Sequence, residues 1–153
     1  MGISHGVSKA LSSGQKAEGP EPQRRIISII GDGTFFHAGI PGLINAVYNK
    51  SNPLIIVLDN RITAMTGHQQ NPGMGKTLMG DDIEQIKIEN VVKACGVKHI
   101  KVLDPANAGE FEGAIKEFLQ KEEVSMIVCR RVCALLERRL KSRPELREFY
   151  GNI

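Results

Sequence analysis

An aspartate flanked by glycines follows one apolar run, and an Asp-Asn pair follows the next. The first group is residues 31–34 (GDGT), and the pair is Asp59 and Asn60. Glycines let a backbone approach a ligand closely, and free amides at a helix N-terminus attract anions. The carboxylate of Asp32 would repel a bare phosphate unless a cation lay between them. The local chemistry therefore predicts a ligand that combines a metal ion with a phosphate group.

Asp32 and Asn60 would converge at one edge of a sheet if the two apolar runs are neighbouring parallel strands. Consecutive strands joined by a right-handed crossover are often neighbours, and open sheets bind ligands at the carboxyl ends of their strands. A carboxylate oxygen, an amide oxygen and a backbone carbonyl, with two phosphate oxygens and a water, would give the octahedron that Mg²⁺ prefers. Asp59 would add a second negative charge nearby, or it would cap the following loop.

Three other interpretations of the glycine-rich segments are weaker. A dinucleotide fingerprint would need a third glycine where the chain has Phe36. A nucleoside-triphosphate loop ending at residues 75–77 would need a glycine where the chain has Gln70, directly after a strand. A tight turn without a ligand would be the simplest interpretation of residues 31–34 alone. Asn60 and the long glycine-rich segment after it argue against that interpretation.

Apolar runs alternate with stretches of helical periodicity along the chain. Buried strands are predicted at residues 25–30, 54–58, 99–102 and 124–129, and helices at residues 3–11, 38–49, 83–94, 107–120 and 134–140. Residues 31–34 are predicted as a turn, and residues 12–23 and 59–81 as loops. This alternation predicts an α/β fold, a doubly wound and mostly parallel sheet with helices on both faces.

Composition predicts one cytoplasmic domain. The 153 residues are 41% hydrophobic, and the net charge of +3, which lies mostly in residues 130–147, is too small to predict nucleic-acid binding. A basic segment of that kind is usually a solvated helix. No apolar run approaches the length of a membrane span, and no signal peptide is recognisable. The three cysteines, Cys95, Cys129 and Cys133, argue for a reducing compartment and are expected to pack as small hydrophobic residues.

The two motifs and the loop after them resemble a known family. A Gly-Asp-Gly at a strand end followed by an Asp-Asn pair is similar to the thiamin diphosphate motif. Its combination with residues 63–69 (TAMTGHQ) resembles the 2-oxoacid:ferredoxin oxidoreductases. The whole block of residues 31–73, with residues 75–80, 91–105 and 128–136, looks like the large subunit of the indolepyruvate ferredoxin oxidoreductases. The resemblance covers nearly the whole chain and implies the diphosphate-binding domain of a thiamin diphosphate enzyme.

The resemblance implies a cation and diphosphate site built from both motifs. Asp32 and Asn60 would bind Mg²⁺ through their side chains, and Ile62 would bind it through its backbone carbonyl. Gly33 and Thr34 would offer amides to the diphosphate. The full implied set of cofactor-binding residues is Gly31, Asp32, Gly33, Thr34, Asn60, Ile62, Ala64, Met65, Thr66, Gly67 and His68.

The loop after the Asp-Asn pair would line the remaining parts of the cofactor. Residues 64–67 would face its diphosphate and thiazolium, and His68 and Gln69 would stand near the substrate. The alternative for His68 is a loop histidine that faces solvent. His37, near the start of a predicted helix, is a further candidate contact of the cofactor.

The implied reaction is the oxidative decarboxylation of a 2-oxoacid, an aryl pyruvate. Thiamin diphosphate would act as the electron sink, iron–sulfur clusters would pass electrons to ferredoxin, and coenzyme A would accept the acyl group. The implied partners are a pyrimidine-binding domain or subunit, an iron–sulfur subunit and ferredoxin, within an oligomer. Nucleic acid and membranes are not expected as partners.

Residues 1–153 are expected to form one diphosphate-side domain that lacks the first strand and helix of the fold. In the family, the catalytic glutamate lies on a pyrimidine-side domain, and ferredoxin-type cysteine clusters follow the segment that matches Leu135 and Leu136. These 153 residues contain neither, so the chain is expected to bind the cofactor without turnover by itself. Two alternatives stay open, a subunit of a non-oxidative thiamin diphosphate-dependent 2-oxoacid decarboxylase and a noncatalytic assembly subunit. Residues 63–69 argue against the decarboxylase.

Overall fold

The computed structural model of the chain describes residues 1–13 and 26–150. Residues 12 and 13 close the first helix, and the rest of the loop predicted at residues 12–23 lies outside the described residues. Within the described ranges, no helix is both long and apolar enough to cross a bilayer.

Strands and helices alternate in the described chain. The strands are β1 (Ile27–Gly31), β2 (Leu54–Asp59), β3 (His99–Leu103) and β4 (Ser125–Arg130). The helices are α1 (Gly2–Ser13), α2 (Asp32–Thr34), α3 (Ile40–Tyr48), α4 (Ile88–Ala94), α5 (Ala108–Phe118), α6 (Ala134–Ser142) and α7 (Arg147–Tyr150). A π-helical turn (Phe35–Gly39) joins α2 to α3, and a 3-10 turn (Pro144–Leu146) joins α6 to α7.

The four strands form one parallel sheet in the order β1-β2-β4-β3. Residues of α3 and α4 pack on one face of this sheet, and residues of α5 pack on the other. β3 lies on the far side of β4, so the connection from β3 to β4 runs back towards β1. A right-handed connection in that direction must cross the other face of the sheet, and this places α5 opposite α3 and α4. The predicted doubly wound α/β fold is confirmed.

The core lies on both faces of the two central strands. Ile55 and Val57 of β2 pack with residues of α3 and α4, and Ile56 packs with residues of α5. A third cluster lies beside the carboxyl edge of the sheet and joins the loop after β2 to α6 and α7. Its buried members are Ile62, Met74, Leu136, Leu140 and Tyr150. This cluster fixes the loop that contains the second motif.

β1 is the edge strand that departs from its prediction. The β-branched run predicts burial on both faces, but Ile27 is more than two-fifths exposed and Ile29 is 65% exposed. Ile29 stands opposite the buried Ile56 in the register. The prediction is wrong on this face because α5 packs against β3 and β4 and does not reach β1.

The helices predicted to begin at residues 38 and 83 begin at other residues in the structure. Residues 31–34 are not a turn, because the chain enters α2 directly at Asp32 after an extended Gly31. The π-helical turn lies just before Pro41. Proline has no backbone N–H to donate, and in a regular helix its ring would crowd the carbonyl four residues earlier, which accounts for the irregular turn at this place.

The helix predicted from residue 83 begins only at Ile88. The amide of Ile83 donates to the Gly75 carbonyl (3.1 Å), and that of Ile86 donates to the Pro72 carbonyl (3.0 Å). These amides bond to the preceding loop instead of a helix, and both isoleucine side chains are exposed. Their helical spacing therefore does not mark a buried helical face.

Candidate metal and cofactor site

Asp32 and Asn60 lie at the carboxyl ends of neighbouring strands. Asp32 directly follows β1, Asn60 directly follows β2, and the two strands pair in parallel. The backbone amide of Ile62 donates to Asn60 Oδ1 (3.1 Å) and also lies close enough to lower the pKa of the Asp32 carboxyl. The Ile62 amide therefore lies near the side chains of both Asp32 and Asn60, so the structure brings these three residues to one place.

The carboxylate of Asp32 is buried without a cationic side chain beside it. Asp32 is 3% exposed, and its Oδ1 accepts from the Gly33 amide (2.7 Å) while its Oδ2 accepts from Asn71 Nδ2 (3.1 Å). Burial raises the pKa of Asp32, and the two hydrogen bonds lower it in part. Among the described residues, no lysine or arginine forms an ion pair with Asp32. A bound cation would supply the missing charge.

Asp59 is buried at the same edge, but its charge is compensated. Arg130 Nε donates to Asp59 Oδ2 (2.7 Å), and Arg61 Nε lies 3.8 Å from Asp59 Oδ1. The same Arg130 guanidinium binds both carboxylate oxygens of Glu89 (3.1 and 2.6 Å), which lowers the pKa of Glu89. Both roles predicted for Asp59 have support, because its negative charge raises the pKa of Asp32 and its carboxylate lies close to Arg61 of the following loop.

Arg130 also corrects the prediction for the basic segment of residues 130–147. Its side chain is about three-quarters buried at the end of β4, where it joins β2 to α4. In α6, Leu136 and Leu140 are buried, whereas the charged residues between them are exposed. The prediction of a solvated helix therefore holds for the outer face of α6 and is wrong for Arg130.

The backbone of Gly33 packs closely against Thr63. A methyl group at Gly33 would overlap with Thr63 Oγ1, whereas a methyl group at Gly31 would meet no atom within 4 Å. Thr63 Oγ1 is buried and has no hydrogen-bond partner in the described chain, and the same is true of His68 Nε2. Unpartnered buried polar atoms are costly and often mark the position of a missing ligand. The donor set therefore fits a polar, phosphate-bearing cofactor.

Residues 63–69, which include Thr63 and His68, form a loop closed by backbone hydrogen bonds. The backbones of Thr63 and Gln69 exchange two hydrogen bonds (3.0 and 3.2 Å), and the Ala64 carbonyl accepts from the Gly67 amide (3.3 Å). Gly67 and His68 both have positive φ, of 122° and 63°. A left-handed histidine is strained, and such strain is concentrated at functional sites.

The remaining predicted residues are placed near solvent. Exposed members of the predicted set are Gly31, Thr34, His37, Met65, Thr66, Gly67 and Gln69, whereas Ala64 and His68 are partly buried. Their contacts with a cofactor or substrate stay predictions. The described chain holds no group of three His, Cys, Asp or Glu side chains placed for a metal. The candidate site instead combines one carboxylate with neutral oxygens, a set that suits Mg²⁺ when phosphate completes the coordination.

Two residues that shape this site, Arg130 and Asn71, are not predicted from the sequence. Arg130 ends a strand, and the rule that selected Asn60 could have selected it as well. Asn71 is 4% exposed and holds the Asp32 carboxylate, but it lies in a polar, glycine-rich loop without periodicity. Nothing in the local sequence separates it from its neighbours.

Comparisons with known proteins show the family of the chain. A family model described as "Thiamine pyrophosphate enzyme, C-terminal TPP binding domain" matches residues 1–129. The chain is 47% identical to the indolepyruvate oxidoreductase subunit IorA of Pyrococcus horikoshii and 48% identical to that of Thermococcus kodakarensis, over 88% of this chain in both cases. Each match covers 21% of the relative, so the chain spans about a fifth of their length.

Solved structures give the same fold. The chain matches the thiamine diphosphate-dependent 4-hydroxybenzoylformate decarboxylase of Rhodococcus jostii RHA1 with a TM-score of 0.51 and 26% identity, over 73% of this chain and 20% of that one. A Mycobacterium smegmatis protein described as a thiamin diphosphate-dependent enzyme matches with a TM-score of 0.54 and 19% identity, over 72% and 18%. The chain therefore belongs to the thiamine pyrophosphate enzymes, and it contains their C-terminal TPP-binding domain.

Proposed function

We propose that this chain is the Mg²⁺–thiamin diphosphate anchor of an indolepyruvate (2-oxoacid):ferredoxin oxidoreductase. The parent enzyme would oxidatively decarboxylate an aryl 2-oxoacid to its acyl-coenzyme A and reduce ferredoxin. The main support is the buried Asp32 carboxylate, which has no cationic partner in the described chain and lies beside Asn60 and Ile62. The names of the sequence relatives support the choice of substrate.

In this proposal the two strand ends hold the metal and the diphosphate. Asp32 and Asn60 bind Mg²⁺ through side-chain oxygens, and Ile62 binds it through a carbonyl that accepts no backbone hydrogen bond in the described chain. The amide of Thr34 faces the diphosphate, whereas the Gly33 amide, also predicted to do so, donates to Asp32 Oδ1 and acts through that carboxylate. No lysine or arginine lies within residues 31–49, so the metal supplies the local positive charge and is obligatory. When bound, thiamin diphosphate supplies an electron sink for the carbanion that decarboxylation leaves.

The remaining steps belong to other parts of the parent enzyme. A pyrimidine-binding domain or subunit, an iron–sulfur subunit, ferredoxin and coenzyme A are the proposed partners in a cytoplasmic oligomer. We expect the 153-residue chain to bind the cofactor but not to turn over a 2-oxoacid by itself. In a reconstituted complex, formation of acyl-coenzyme A with ferredoxin reduction supports the oxidoreductase, whereas release of an aldehyde supports a non-oxidative decarboxylase.

Thermal and urea unfolding of the purified chain test the cofactor site directly. Thiamin diphosphate with Mg²⁺, each at 100 times its dissociation constant, stabilises the fold by about 2.7 kcal/mol for a single binding event. Asp32→Ala abolishes this gain because it removes the charged ligand of the metal. Asp82→Ala, at an aspartate that is 87% exposed, is the matched control and retains the gain.

Excess chelator provides the second arm of this experiment. The metal is expected to be obligatory, so chelation removes the stabilisation by thiamin diphosphate completely. Equal stabilisation with and without chelator, or an Asp32→Ala chain that responds as the wild type does, would contradict the proposed site.

A further inference from the structure

Asn71 is a buried amide in the loop between β2 and α4. Its Nδ2 donates to Asp32 Oδ2 (3.1 Å), and its Oδ1 accepts from the Gly73 amide (2.9 Å). Burial of a side-chain amide is costly unless its polar atoms are paired, and both ends of this amide are paired. Asn71 therefore has a defined orientation that links the first motif to the loop.

We propose that Asn71 is a positioning residue that orients Asp32 for Mg²⁺ and couples metal binding to the order of the loop. This inference rests on the proposed function. Asp32 accepts one hydrogen bond on each carboxylate oxygen, which fixes the plane of the carboxylate and leaves each oxygen a second acceptor direction. Hydrogen bonds of this kind behind a metal ligand tune its orientation and the metal affinity.

The chemical type of residue 71 supports this role. A neutral amide can hold the carboxylate without cancelling its charge, so the carboxylate still attracts a cation. A lysine or arginine at position 71 would form an ion pair with Asp32, as Arg130 does with Asp59. That ion pair would compete with the metal for the Asp32 carboxylate. The structure thus places a cationic partner on the aspartate that anchors the loop and a neutral partner on the predicted metal ligand.

Gly73, which is held by Asn71, is also bonded to Arg61, the neighbour of the other predicted ligands. The Gly73 carbonyl accepts from an Arg61 guanidinium nitrogen (3.0 Å), and that nitrogen also donates to Gln85 Oε1 (3.0 Å). Arg61 stands in the sequence between Asn60 and Ile62. A chain of hydrogen bonds therefore runs from Asp32 through Asn71 and Gly73 to Arg61, the residue between the other two predicted ligands.

Two substitutions at Asn71 test the positioning role. Asn71→Ala removes the donor and leaves space, whereas Asn71→Leu removes the donor and fills a similar volume. We expect both to weaken Mg²⁺ binding, measured by titration calorimetry at saturating thiamin diphosphate, by about ten- to a hundredfold. Asn90→Ala, at an exposed asparagine of α4, is the control and keeps the wild-type affinity.

The outcomes separate positioning from packing and from failure of the proposed function. Wild-type Mg²⁺ affinity in the Leu variant, with a loss in the Ala variant alone, would show a packing role and overturn the inference. Unchanged affinity in both variants would also overturn it, although the proposed function would stand. A wild-type chain that binds neither Mg²⁺ nor thiamin diphosphate would instead refute the proposed function.

Hydrogen exchange in the wild-type chain tests the coupling even where the variants fail to fold. Because Asn71 holds the Gly73 amide, saturating Mg²⁺ and thiamin diphosphate should slow exchange at that amide by at least about fivefold, a coupling of about 1 kcal/mol. Asp32→Ala should remove this protection. Exchange at Gly73 that is unaffected by bound metal and cofactor would overturn the coupling.

Discussion

Two aspartates at one sheet edge have opposite electrostatic surroundings. Asp59 is bound by Arg130 and approached by Arg61, whereas the partners of Asp32 in residues 1–13 and 26–150 are neutral amides. A buried carboxylate without a cation is costly, and its charge also destabilises the metal-free site. This cost at Asp32 agrees with its proposed role as the charged ligand of a metal ion.

Gly31 and Gly33 differ in the space available for a side chain. Gly31 has an ordinary extended φ and open space around it, so Gly31→Ala is expected to leave the free energy of unfolding unchanged or to raise it slightly. Gly33→Ala is expected to lower it by about 1–3 kcal/mol. Rotation of Thr63 about its Cα–Cβ bond moves Oγ1 away but leaves crowding, because its Cβ stays 3.2 Å from the new methyl group.

Urea unfolding of the metal-free variants measures this difference. The double variant Gly33→Ala/Thr63→Ala should recover most of the stability lost in Gly33→Ala, since it removes Thr63 Oγ1, the atom that overlaps with the new methyl group. If Gly33→Ala and Gly31→Ala unfold at the same urea concentration, the close packing of Gly33 on Thr63 is wrong.

At the scale of elements, the strands could be predicted and two helix starts could not. β2, β3 and β4 begin and end within one residue of their predicted bounds, because each is a short run rich in β-branched and other apolar residues bounded by polar residues or proline. The start of α4 could not be predicted because the amides of Ile83 and Ile86 bond to carbonyls of the preceding loop, at Gly75 and Pro72, and not to carbonyls of a helical turn. Periodicity does not record such bonds.

The same limit applies to the candidate site. Asp32 and Asn60 could be selected because each directly follows a strand. Asn71 reaches its partner across 39 residues and Arg130 reaches Asp59 across 71, so neither bond leaves a local pattern. Hydrogen bonds between distant segments become visible only when the sheet order is known.

Glu89 ties the first turn of α4 to Arg130 and should make stability depend on pH. Its pKa is lowered from an ordinary value near 4.5, chiefly by the hydrogen bonds from Arg130. A lowered carboxyl pKa adds stability above the unfolded-state value, and this stability is lost as the pH falls through the folded-state value. At pH 7, Glu89→Gln should therefore lower the free energy of unfolding by about 1–3 kcal/mol.

Urea titrations of wild type and Glu89→Gln between pH 7 and acid check this expectation. The difference between the two proteins should shrink as the pH falls below 4.5. Glu84→Gln, at an exposed glutamate before α4, serves as the control and should show little difference at any pH. A Glu89→Gln effect that stays constant into acid would contradict the ion pair.

At the scale of the whole molecule, the two faces of the sheet are covered unequally. Ile29 and Ile56 stand side by side in the register on the face that α5 covers in part, but Ile29 is 65% exposed and Ile56 is 4% exposed. Ile56→Ala should lower the free energy of unfolding by about 2–5 kcal/mol, and Ile29→Ala by much less. Urea unfolding at two protein concentrations measures both effects. Equal costs would show that this part of the face is covered in solution.

The sheet order also determines when the domain can assemble during synthesis. Ribosomes produce β1, β2 and β3 first, yet β3 has no neighbour in the sheet until β4 emerges between it and β2. Until then Asp59 lacks Arg130, and the unpaired sides of β2 and β3 are exposed to other nascent chains. A nascent chain that stops before residue 125 therefore cannot complete the edge on which the cofactor site is built. We therefore expect the cofactor site to be complete only after β4, the strand between β2 and β3, has been synthesised.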